Sequence, residues 1–332
     1  MACEATAYAR AGLVGNPSDG YYGKTISFTI RDFSAKVSLY EHPHVEIVPS
    51  LRDRSTYSSV YDLVDDVQAF GYYGAIRLVK ATIKRFVEHC TAERIRLPEN
   101  KNFQIRYRTT IPRHVGMAGS SALVTATLRC LMEYYEVDIP REIQPNLILS
   151  VETGELGITA GLQDRVIQVY EGCVFMDFDK GYMESHGHGR YEEIDPGLLP
   201  NIYIAYRTKL AEGSEVFHNR IKERWLAGEP EVVDAMKQFA SFAEKTRALI
   251  LSNRGSEIGE WLNRNFDLRR SIFQLPKAQI ALVEACRKHG ASCKFSGSGG
   301  AVVGTYEDEA MFQRLVAEFE GTDTVVMKPR IA

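Results

Sequence analysis

One stretch decides the fold of this chain: Ile111-Pro112-Arg113-His114-Val115-Gly116-Met117-Ala118-Gly119-Ser120-Ser121-Ala122. Apolar and polar residues alternate before it over residues 103–111, which predicts a β-strand. After it, apolar residues recur at helical spacing over residues 123–135, which predicts a helix. Gly116 and Gly119 permit backbone conformations and close approaches that a Cβ would block. Ser120 or Ser121 has a side chain suited to capping the helix.

A strand, a glycine-rich turn and a helix N-terminus in this order make an anion site, because free N–H groups and the helix dipole point the same way. The alternative is an ordinary loop with a serine cap, and the stretch alone leaves both open. A Walker phosphate loop does not match, since no Lys-Ser or Lys-Thr follows the second glycine, and Gly-x-Gly-x-x-Gly is missing. Any phosphates would therefore be held by backbone amides, and a cation must come from elsewhere in the chain.

The bulk composition is that of a globular protein. The chain has 332 residues, enough for two domains, with 45% apolar and 25% charged residues. Its formal net charge of -3 gives no reason to expect nucleic acid or an anionic membrane as partner. No apolar run is long enough to cross a bilayer, and the N-terminus lacks the pattern of a secretory signal. Six cysteines without a Cys-x-x-Cys pair favour a reduced, cytoplasmic protein.

The pattern along the first half predicts strands, then helices. Strands are expected at residues 7–14, 25–30, 35–40, 45–48 and 173–178, and helices at residues 73–90, 142–156 and 165–170. Residues 51–68 are expected to form loop and short helix. Two carboxylates, Glu152 and Asp164, flank a glycine-bounded turn, where they can serve as caps or as ion-pair partners.

The second half is predicted to mix helices with short strands. Strands are expected at residues 202–206, 292–295, 301–305 and 324–327, with helical spacing at residues 216–226, 231–252, 256–273, 278–289 and 307–319. The whole is therefore expected to be an α+β protein. Residues 181–200 are polar and glycine-rich and are the best candidate for a domain boundary. His186 and His188 within them are expected in an exposed loop, because no third metal ligand is evident.

Three glycine-rich turns, each attached to a strand, occur in an order that resembles the GHMP kinases, the superfamily of galactokinase, homoserine kinase, mevalonate kinase and phosphomevalonate kinase. The opening stretch from Pro112 to Ala122 resembles their phosphate-binding motif. The run Lys294-Phe295-Ser296-Gly297-Ser298-Gly299-Gly300 resembles their C-terminal motif. The N-terminal motif of the sugar-kinase branch is similar to Arg10-Ala11-Gly12-Leu13-Val14-Gly15-Asn16-Pro17-Ser18-Asp19.

Within this superfamily the resemblance is closest to the plant glucuronokinase group, over residues 7–305. The motifs that carry it are residues 15–19, 23–27, 71–74, 161–165 and 265–270. Two positions depart from the family pattern: Met117 replaces the usual leucine, and Ala301 stands where many relatives have glycine. The methyl group of Ala301 is expected to leave less room for a close approach to the backbone there than glycine would.

The resemblance implies a two-domain GHMP kinase fold of the α+β class. Residues 1–190 would form an N-terminal ATP-binding domain like domain 2 of ribosomal protein S5, and residues 191–332 a ferredoxin-like C-terminal α/β sandwich. ATP and Mg²⁺ are implied as cofactors. The implied partners are small-molecule substrates, with neither nucleic acid nor a membrane.

The resemblance also implies roles for individual residues. Asp164 would be the general base, and Arg10 would hold it ionised and counter charge on the transferring phosphoryl group. Ser121 and Glu152 would bind Mg²⁺. The residues implied to wrap the ATP phosphates are Pro112, Gly116, Met117, Ala118, Gly119, Ser120, Ser121 and Ala122. Those implied to contact the sugar are Asn16, Asp19, Arg165, Arg269, Gly297, Ser298 and Gly299.

The implied reaction transfers phosphate from ATP to the anomeric hydroxyl of D-glucuronate. Galactose-type relatives carry Glu where Asn16 lies, and the loss of that negative charge favours a sugar that bears a carboxylate. Such a carboxylate also needs an arginine fork, for which Arg165, Arg269 and Arg270 are candidates. The alternatives are a galacturonokinase-like or galactokinase-like enzyme, or a non-catalytic sugar sensor of the same fold. A sensor is disfavoured, because a pure binder needs no base such as Asp164.

Overall fold

The computed structural model of the chain describes residues 2–49, 53, 59, 74–208 and 215–331. The loop and short helix predicted for residues 51–68 therefore lie outside the described residues, apart from Asp53 and Ser59. Across the described ranges, no helix is both long enough and apolar enough to span a membrane.

The first sheet is built on two long antiparallel strands, β1 (Ala2–Val14) and β2 (Lys24–Glu41). β2 is one strand where the sequence predicted two, and its register with β1 shifts between Tyr8 and Ala9. The other edge of β2 is divided. Its second half pairs with β4 (Phe103–Thr109) and its first half with β5 (Cys173–Asp177). The sheet is completed by β3 (Glu46–Val48), parallel to β4, and β6 (Arg190–Ile194), antiparallel to β5.

The helix that begins at Gly119 packs on β1 and β2 through small side chains. α1 (Ala75–Ala92) contacts α2 (Gly119–Tyr135), and α2 lies against both strands. Alternate residues of β1 that face this contact are small and fully buried, namely Ala7, Ala9 and Ala11. They meet a helix that itself buries Ala122 and Ala126, so the two backbones approach closely. By the same alternation, Arg10 and Gly12 lie on the opposite face of β1.

Three short helices follow. α3 (Gln144–Ser150) continues into a π-helical turn (Val151–Glu155), and α4 (Gln163–Tyr170) comes after a loop. α5 (Lys180–His186) then connects β5 to β6. Single π-helical turns are rare and occur frequently at functional sites.

The second half forms a four-stranded antiparallel sheet covered by helices. In chain order its elements are β7 (Ile202–Arg207), α6 (Glu215–Leu226), α7 (Pro230–Leu251), α8 (Gly259–Ile272), α9 (Lys277–Lys288), β8 (Lys294–Phe295), β9 (Ala301–Thr305), α10 (Glu309–Glu318) and β10 (Thr324–Met327). The strand order is β10-β7-β9-β8. This order of antiparallel strands is that of the ferredoxin-like β-α-β-β-α-β unit, as predicted.

The two halves meet along β1. α7 packs against β2 and α8 lies near β1, so that one apolar core includes Phe28 of the first sheet and Phe239 of α7. The Gly12 N–H of β1 donates a hydrogen bond to Ser296 O at 2.7 Å. Residues 190 and 191, the predicted domain boundary, fall within β6, which pairs with the first sheet. We therefore propose that the division lies between Ile194 and Ile202.

Two local predictions were wrong. The helix expected at residues 123–135 begins four residues earlier, at Gly119, and its N-cap is Ala118 rather than a serine. Ala118 has a left-handed φ of 61° and makes no side-chain cap. The region of residues 181–200 contains α5 and β6 in place of a continuous loop, and His186 is the last residue of α5.

Candidate active site

Arg10, which opens the N-terminal motif, connects the other two glycine-rich motifs to Asp164. Its side chain is buried at 5% exposure on the face of β1 that meets the second half. Nε donates to Asp164 Oδ1 at 2.5 Å, and Nη1 donates to Gly116 O at 2.5 Å and to Ser296 O at 3.3 Å. One guanidinium therefore joins three parts of the chain. They are the Asp164 carboxylate, the loop at residues 112–122 (the opening loop) and the turn at residues 296–300 (the C-terminal glycine turn).

A chain of alternating charges extends from Arg10. Asp164, in the first turn of α4, also lies 3.5 Å from Arg165 Nη1, and Arg165 Nη2 is paired with Glu152. Glu152 and Arg165 are both buried, at 2% and 4% exposure, and Glu152 lies in the π-helical turn. Each buried charge thus has an opposite neighbour, which removes most of the cost of burial.

The pKa of Asp164 reflects this setting. Burial alone raises it, but the positive charges of Arg10 and Arg165, together with the hydrogen bond from Arg10, outweigh burial and lower the pKa below the ordinary carboxyl value. Asp164 is therefore ionised at neutral pH. Its side chain remains 19% exposed, so the carboxylate is accessible to a ligand.

The opening loop has the backbone of an anion site. His114, Gly116 and Ala118 all have positive φ, at 56°, 67° and 61°, which places left-handed residues at every second position. Backbone of this kind directs successive N–H groups into one concavity and binds anions. Helix α2 starts at this point without a side-chain cap, so its first-turn N–H groups and its dipole face the same side.

Two serines follow the loop. Ser120 is exposed, whereas Ser121 is buried and its Oγ donates to Ala118 O at 3.2 Å. Met117 is also buried, at 1% exposure, so it serves the core and can offer only its backbone to a ligand.

The opening loop and the C-terminal glycine turn touch backbone to backbone. A Cβ on Gly116 would lie 2.8 Å from Gly299 O and 3.0 Å from Ser298 N. One on Gly297 would overlap Gly116 O and lie 2.9 Å from Arg10 Nη1. Only glycine permits this packing. The structure therefore brings together the motif at Pro112–Ala122 and the motif at Lys294–Gly300, both predicted from the sequence.

The N-terminal turn, residues 15–19, lies beside Arg10 and Asp164. Asp19 is half-buried against Gly161, and its Oδ2 accepts a hydrogen bond from Gln163 N at 3.3 Å. Burial, followed by the negative charge of Asp164, raises the pKa of Asp19 to about 6. Asn16 is buried, and its Oδ1 has no hydrogen-bond partner among the described residues.

Several residues that support the site carried no role in the sequence analysis. Asn265 of α8 accepts from Gly15 N at 2.7 Å and donates to Asn16 O at 3.0 Å, which holds the N-terminal turn. Lys294 is fully buried and donates to Gly12 O and to Phe295 O, each at 2.7 Å. Gln168 of α4 donates to Ala118 O at 2.8 Å. These are contacts between segments far apart in sequence. The family-like motifs contain Asn265 and Lys294, but nothing in their spacing indicates these partners.

Comparison with known protein families identifies both halves. The model of the GHMP kinases N terminal domain matches residues 77–172, and the model of the GHMP kinases C terminal domain matches residues 246–320. The fold is shared with Methanococcus jannaschii mevalonate kinase at a TM-score of 0.71 and 19% identity, over 100% of this chain and 98% of that one. It is also shared with Lactococcus lactis galactokinase complexed with galactose at a TM-score of 0.77 and 14% identity, over 100% and 94%.

Two Arabidopsis thaliana proteins are similar along most of their length. Glucuronokinase 1 is 43% identical over 308 residues, which cover 91% of this chain and 84% of the relative. Probable glucuronokinase 2 is 45% identical over 307 residues, which cover 90% and 83%. Identity of this extent confirms the resemblance expected from the motifs, and the chain belongs to the GHMP kinases, in the group of the plant glucuronokinases.

Proposed function

We propose that this chain is an ATP-dependent sugar-acid 1-kinase that converts D-glucuronate to glucuronate 1-phosphate and ADP. The observation that carries the reaction type is the position of Arg10, which joins the carboxylate of Asp164 to the two glycine-rich turns. The similarity to the two Arabidopsis glucuronokinases supports the choice of acceptor.

The ATP phosphates bind, in this proposal, to the backbone of the opening loop. N–H groups are offered on one side of this loop by residues 114–118, where every second residue is left-handed, and by the uncapped start of α2. Pro112 and Ala122 bound this loop, and the residues between them that we assign to the phosphates are Gly116, Met117, Ala118, Gly119, Ser120 and Ser121.

Ser121 and Glu152 are the proposed ligands of Mg²⁺. Mg²⁺ prefers oxygen donors, and it keeps waters and substrate phosphates in its shell. The chemistry of the donor pair fits: the Ser121 hydroxyl retains lone pairs while donating to Ala118 O, and Arg165 engages the Glu152 carboxylate at Oε2, which leaves Oε1. The bound ion would neutralise negative charge on the phosphates.

Glu152→Gln is expected to raise the Mg²⁺ concentration needed for half-maximal rate by at least about tenfold. The amide is a poorer ligand, and it also leaves the buried Arg165 without its partner. The measurement is the initial rate as a function of Mg²⁺ at fixed ATP.

The matched control is Glu155→Gln, in the same π-helical turn, where the carboxylate pairs with Lys84 at 2.6 Å at the surface. This variant is expected to keep the wild-type Mg²⁺ dependence. An equal shift in both variants would show that Glu152 is not a ligand.

Asp164 is the proposed acceptor of the proton from the anomeric hydroxyl. As the new oxygen–phosphorus bond forms, that proton moves to the carboxylate and the bond to the β-phosphate breaks, which releases ADP. Phosphoryl transfer has a loose transition state in which the acceptor loses its proton late, so a carboxylate of low pKa is sufficient. Arg10, held by its three acceptors, faces the developing charge without reorganisation.

The sugar is proposed to lie between Asp164 and the N-terminal turn. Asp19 accepts hydrogen bonds from sugar hydroxyls, and the neutral amide of Asn16 adds a polar group without repelling an anion. The remaining residues that we assign to this pocket are Arg165, Arg269, Gly297, Ser298 and Gly299.

The raised pKa of Asp19 predicts a pH dependence. Asp19 is protonated below its pKa of about 6 and then no longer accepts hydrogen bonds as a carboxylate, so kcat/KM for the sugar should fall as the pH drops through about 6. The measurement is a profile of kcat/KM at saturating ATP.

Asp19→Asn should be less active and should lack this acid limb. The ionisations of the substrates are the same for both proteins, so only the difference between the two profiles is attributed to Asp19. An unchanged limb in the variant would contradict the assignment.

The function is tested with a panel of sugars and coupled detection of ADP, followed by nuclear magnetic resonance of the product. We expect D-glucuronate to have the highest kcat/KM and the phosphate to be on the anomeric oxygen. A higher kcat/KM for galactose or galacturonate would replace the proposal by the corresponding kinase. Absence of turnover, with binding of ATP and sugar retained, would make the chain a sensor.

The cysteines support a reducing compartment, and we propose the cytoplasm. All six are buried free thiols, as expected where disulfides do not persist.

A further inference from the structure

A buried cation without a carboxylate partner lies beside the site. Arg269 of α8 is 4% exposed, with its guanidinium 5.2 Å from the ring centre of Phe273 and 5.3 Å from that of Phe295. Nη1 donates to Gly297 O at 2.8 Å. Its Nε is buried and has no acceptor in the part of the chain that the structure describes. Leaving such a charge uncompensated is costly, unless an anion binds there.

The other two arginines offered by the sequence are paired with carboxylates, although the buried Nε of Arg165, like that of Arg269, has no acceptor among the described residues. Arg165 is paired with Glu152, lies 3.5 Å from Asp164, and donates to Gly161 O at 2.8 Å. Arg270 is half-exposed and pairs with Glu284 at 2.9 Å. Among the three candidates, Arg269 is therefore the one that forms no ion pair with a carboxylate in the part of the chain that the structure describes.

Arg269 lies near Asp19, a carboxylate with which it forms no ion pair, and near a second buried cation, Lys294. Burial lowers the pKa of Arg269 to about 10, and Asp19 and Tyr21 act in the opposite direction. Lys294 is close enough that the charges of Arg269 and Arg10, after burial itself, help to lower its pKa well below the ordinary value. Both hydrogen bonds of the Lys294 amine go to backbone carbonyl oxygens, so no carboxylate enters the neighbourhood of Arg269 as a partner of Lys294.

Arg269 is also correctly placed for an acceptor substrate. Gly297, whose carbonyl it holds, lies against Arg10, since a Cβ there would be 2.9 Å from Arg10 Nη1. One turn earlier on the same helix, Asn265 holds the Gly15–Asn16 backbone. α8 thus links the proposed sugar turn to the glycine turn at the proposed point of phosphoryl transfer. The Oδ1 atom of Asn16, on that sugar turn, is another buried polar atom without a partner among the described residues.

We infer that Arg269 binds the carboxylate of the sugar acid through its free Nε edge and is the residue that distinguishes a uronate from a neutral sugar. This inference rests on the proposed function. An arginine fork matches a carboxylate with two parallel hydrogen bonds, and the rings of Phe273 and Phe295 hold the guanidinium in place.

The test compares D-glucuronate with D-glucuronamide, a neutral analogue of the same shape, in Arg269→Met. The unbranched methionine side chain fits between the two rings. We expect kcat/KM for D-glucuronate to fall by at least about 100-fold, with kcat/KM for the amide within about threefold of wild type. The matched control is Arg270→Met, the next residue on α8, which should leave both values unchanged.

An equal fall for both substrates would show that Arg269 only supports the Gly297 turn, and would overturn the inference. If the wild-type enzyme uses D-glucuronate and Arg269→Met has the same selectivity between acid and amide as the wild type, the inference is overturned and the proposed function stays intact. Wild-type turnover of neutral sugars alone would remove both. If Arg269→Met does not fold, Arg269→Lys keeps the charge without the fork, and selectivity for the carboxylate should still fall by about tenfold; an unchanged selectivity in that variant overturns the inference.

Discussion

Replacing Asp164 by asparagine is expected to lower kcat by about 1,000-fold while ATP still binds. The amide has the shape of the carboxylate but cannot take the proton of the acceptor hydroxyl. It also leaves Arg10 Nε without the oxygen that it contacts at 2.5 Å. The opening loop contacts Arg10 through Gly116 O and not through Asp164, so the phosphate site should persist. Coupled detection of ADP gives kcat, and calorimetry gives the Kd of ATP.

The control for this variant is Asp267→Asn. Asp267 is a carboxylate on α8 that accepts from Arg287 Nη1 at 2.6 Å and is 58% exposed. It has the same chemistry as Asp164 outside the site, and we expect nearly normal turnover. A kcat for Asp164→Asn within about tenfold of the wild-type value would exclude Asp164 as the base.

The glycine turns themselves were predictable because glycine marks them in the sequence, although their contact with one another was not predicted. Gly15, Gly116 and Gly299 have φ values of 91°, 67° and 137°, which residues with a Cβ seldom adopt. Glycine is therefore favoured at these positions, and its spacing from a strand is visible without a structure. The strands of both sheets, except β6, were predicted from the residue pattern, and most helices from helical spacing.

The start of α2 was missed for the opposite reason. His114 and Ala118 adopt left-handed φ values although both carry a Cβ. Local propensity predicts neither, so the helix was placed at residue 123 and its cap was assigned to a serine. The tertiary packing that favours these conformations includes Gln168, whose Nε2 donates to Ala118 O.

The charge network depends on contacts that no periodicity encodes. Glu152 and Asp164 were recognised as a pair around a turn, but the pairing of Glu152 with Arg165 requires the π-helical turn at Val151–Glu155. The roles of Asn265 and Lys294 require the docking of the second half onto β1, because their partners lie about 250 residues or more away in the chain. Such contacts become visible only once both halves are assembled.

In the proposed mechanism, the network also supplies the positive charge that a phosphate-loop lysine would otherwise provide. Glu152, Arg165, Asp164 and Arg10 alternate in sign, so each is stabilised by the next. Arg10 is therefore fixed before any ligand arrives, and its orientation costs nothing during the reaction. Arg10 donates to Gly116 O and Ser296 O, so the proposed mechanism makes the packing of the two glycine turns a condition for catalysis.

Gly297→Ala is accordingly expected to lower kcat by about 100-fold and the free energy of unfolding by about 1–3 kcal/mol. The new methyl group would overlap Gly116 O and lie 2.9 Å from Arg10 Nη1, and the backbone carbonyl cannot move aside as a flexible side chain can. Separation of the turns would displace Arg10 from its acceptors, and small displacements at a phosphoryl-transfer site reduce the rate steeply. Chemical denaturation and steady-state rates measure the two effects.

A glycine with room for a methyl group separates this effect from the substitution itself. Gly181 lies within α5, where the nearest atom to a new Cβ is Asp179 Oδ1 at 3.6 Å, an ordinary contact. Gly181→Ala should keep full activity and should be slightly more stable, since alanine favours a helix more than glycine does. If Gly297→Ala instead retained wild-type turnover and stability, the turns would not need to touch, and the position of Arg10 would have to be maintained by Asp164 alone.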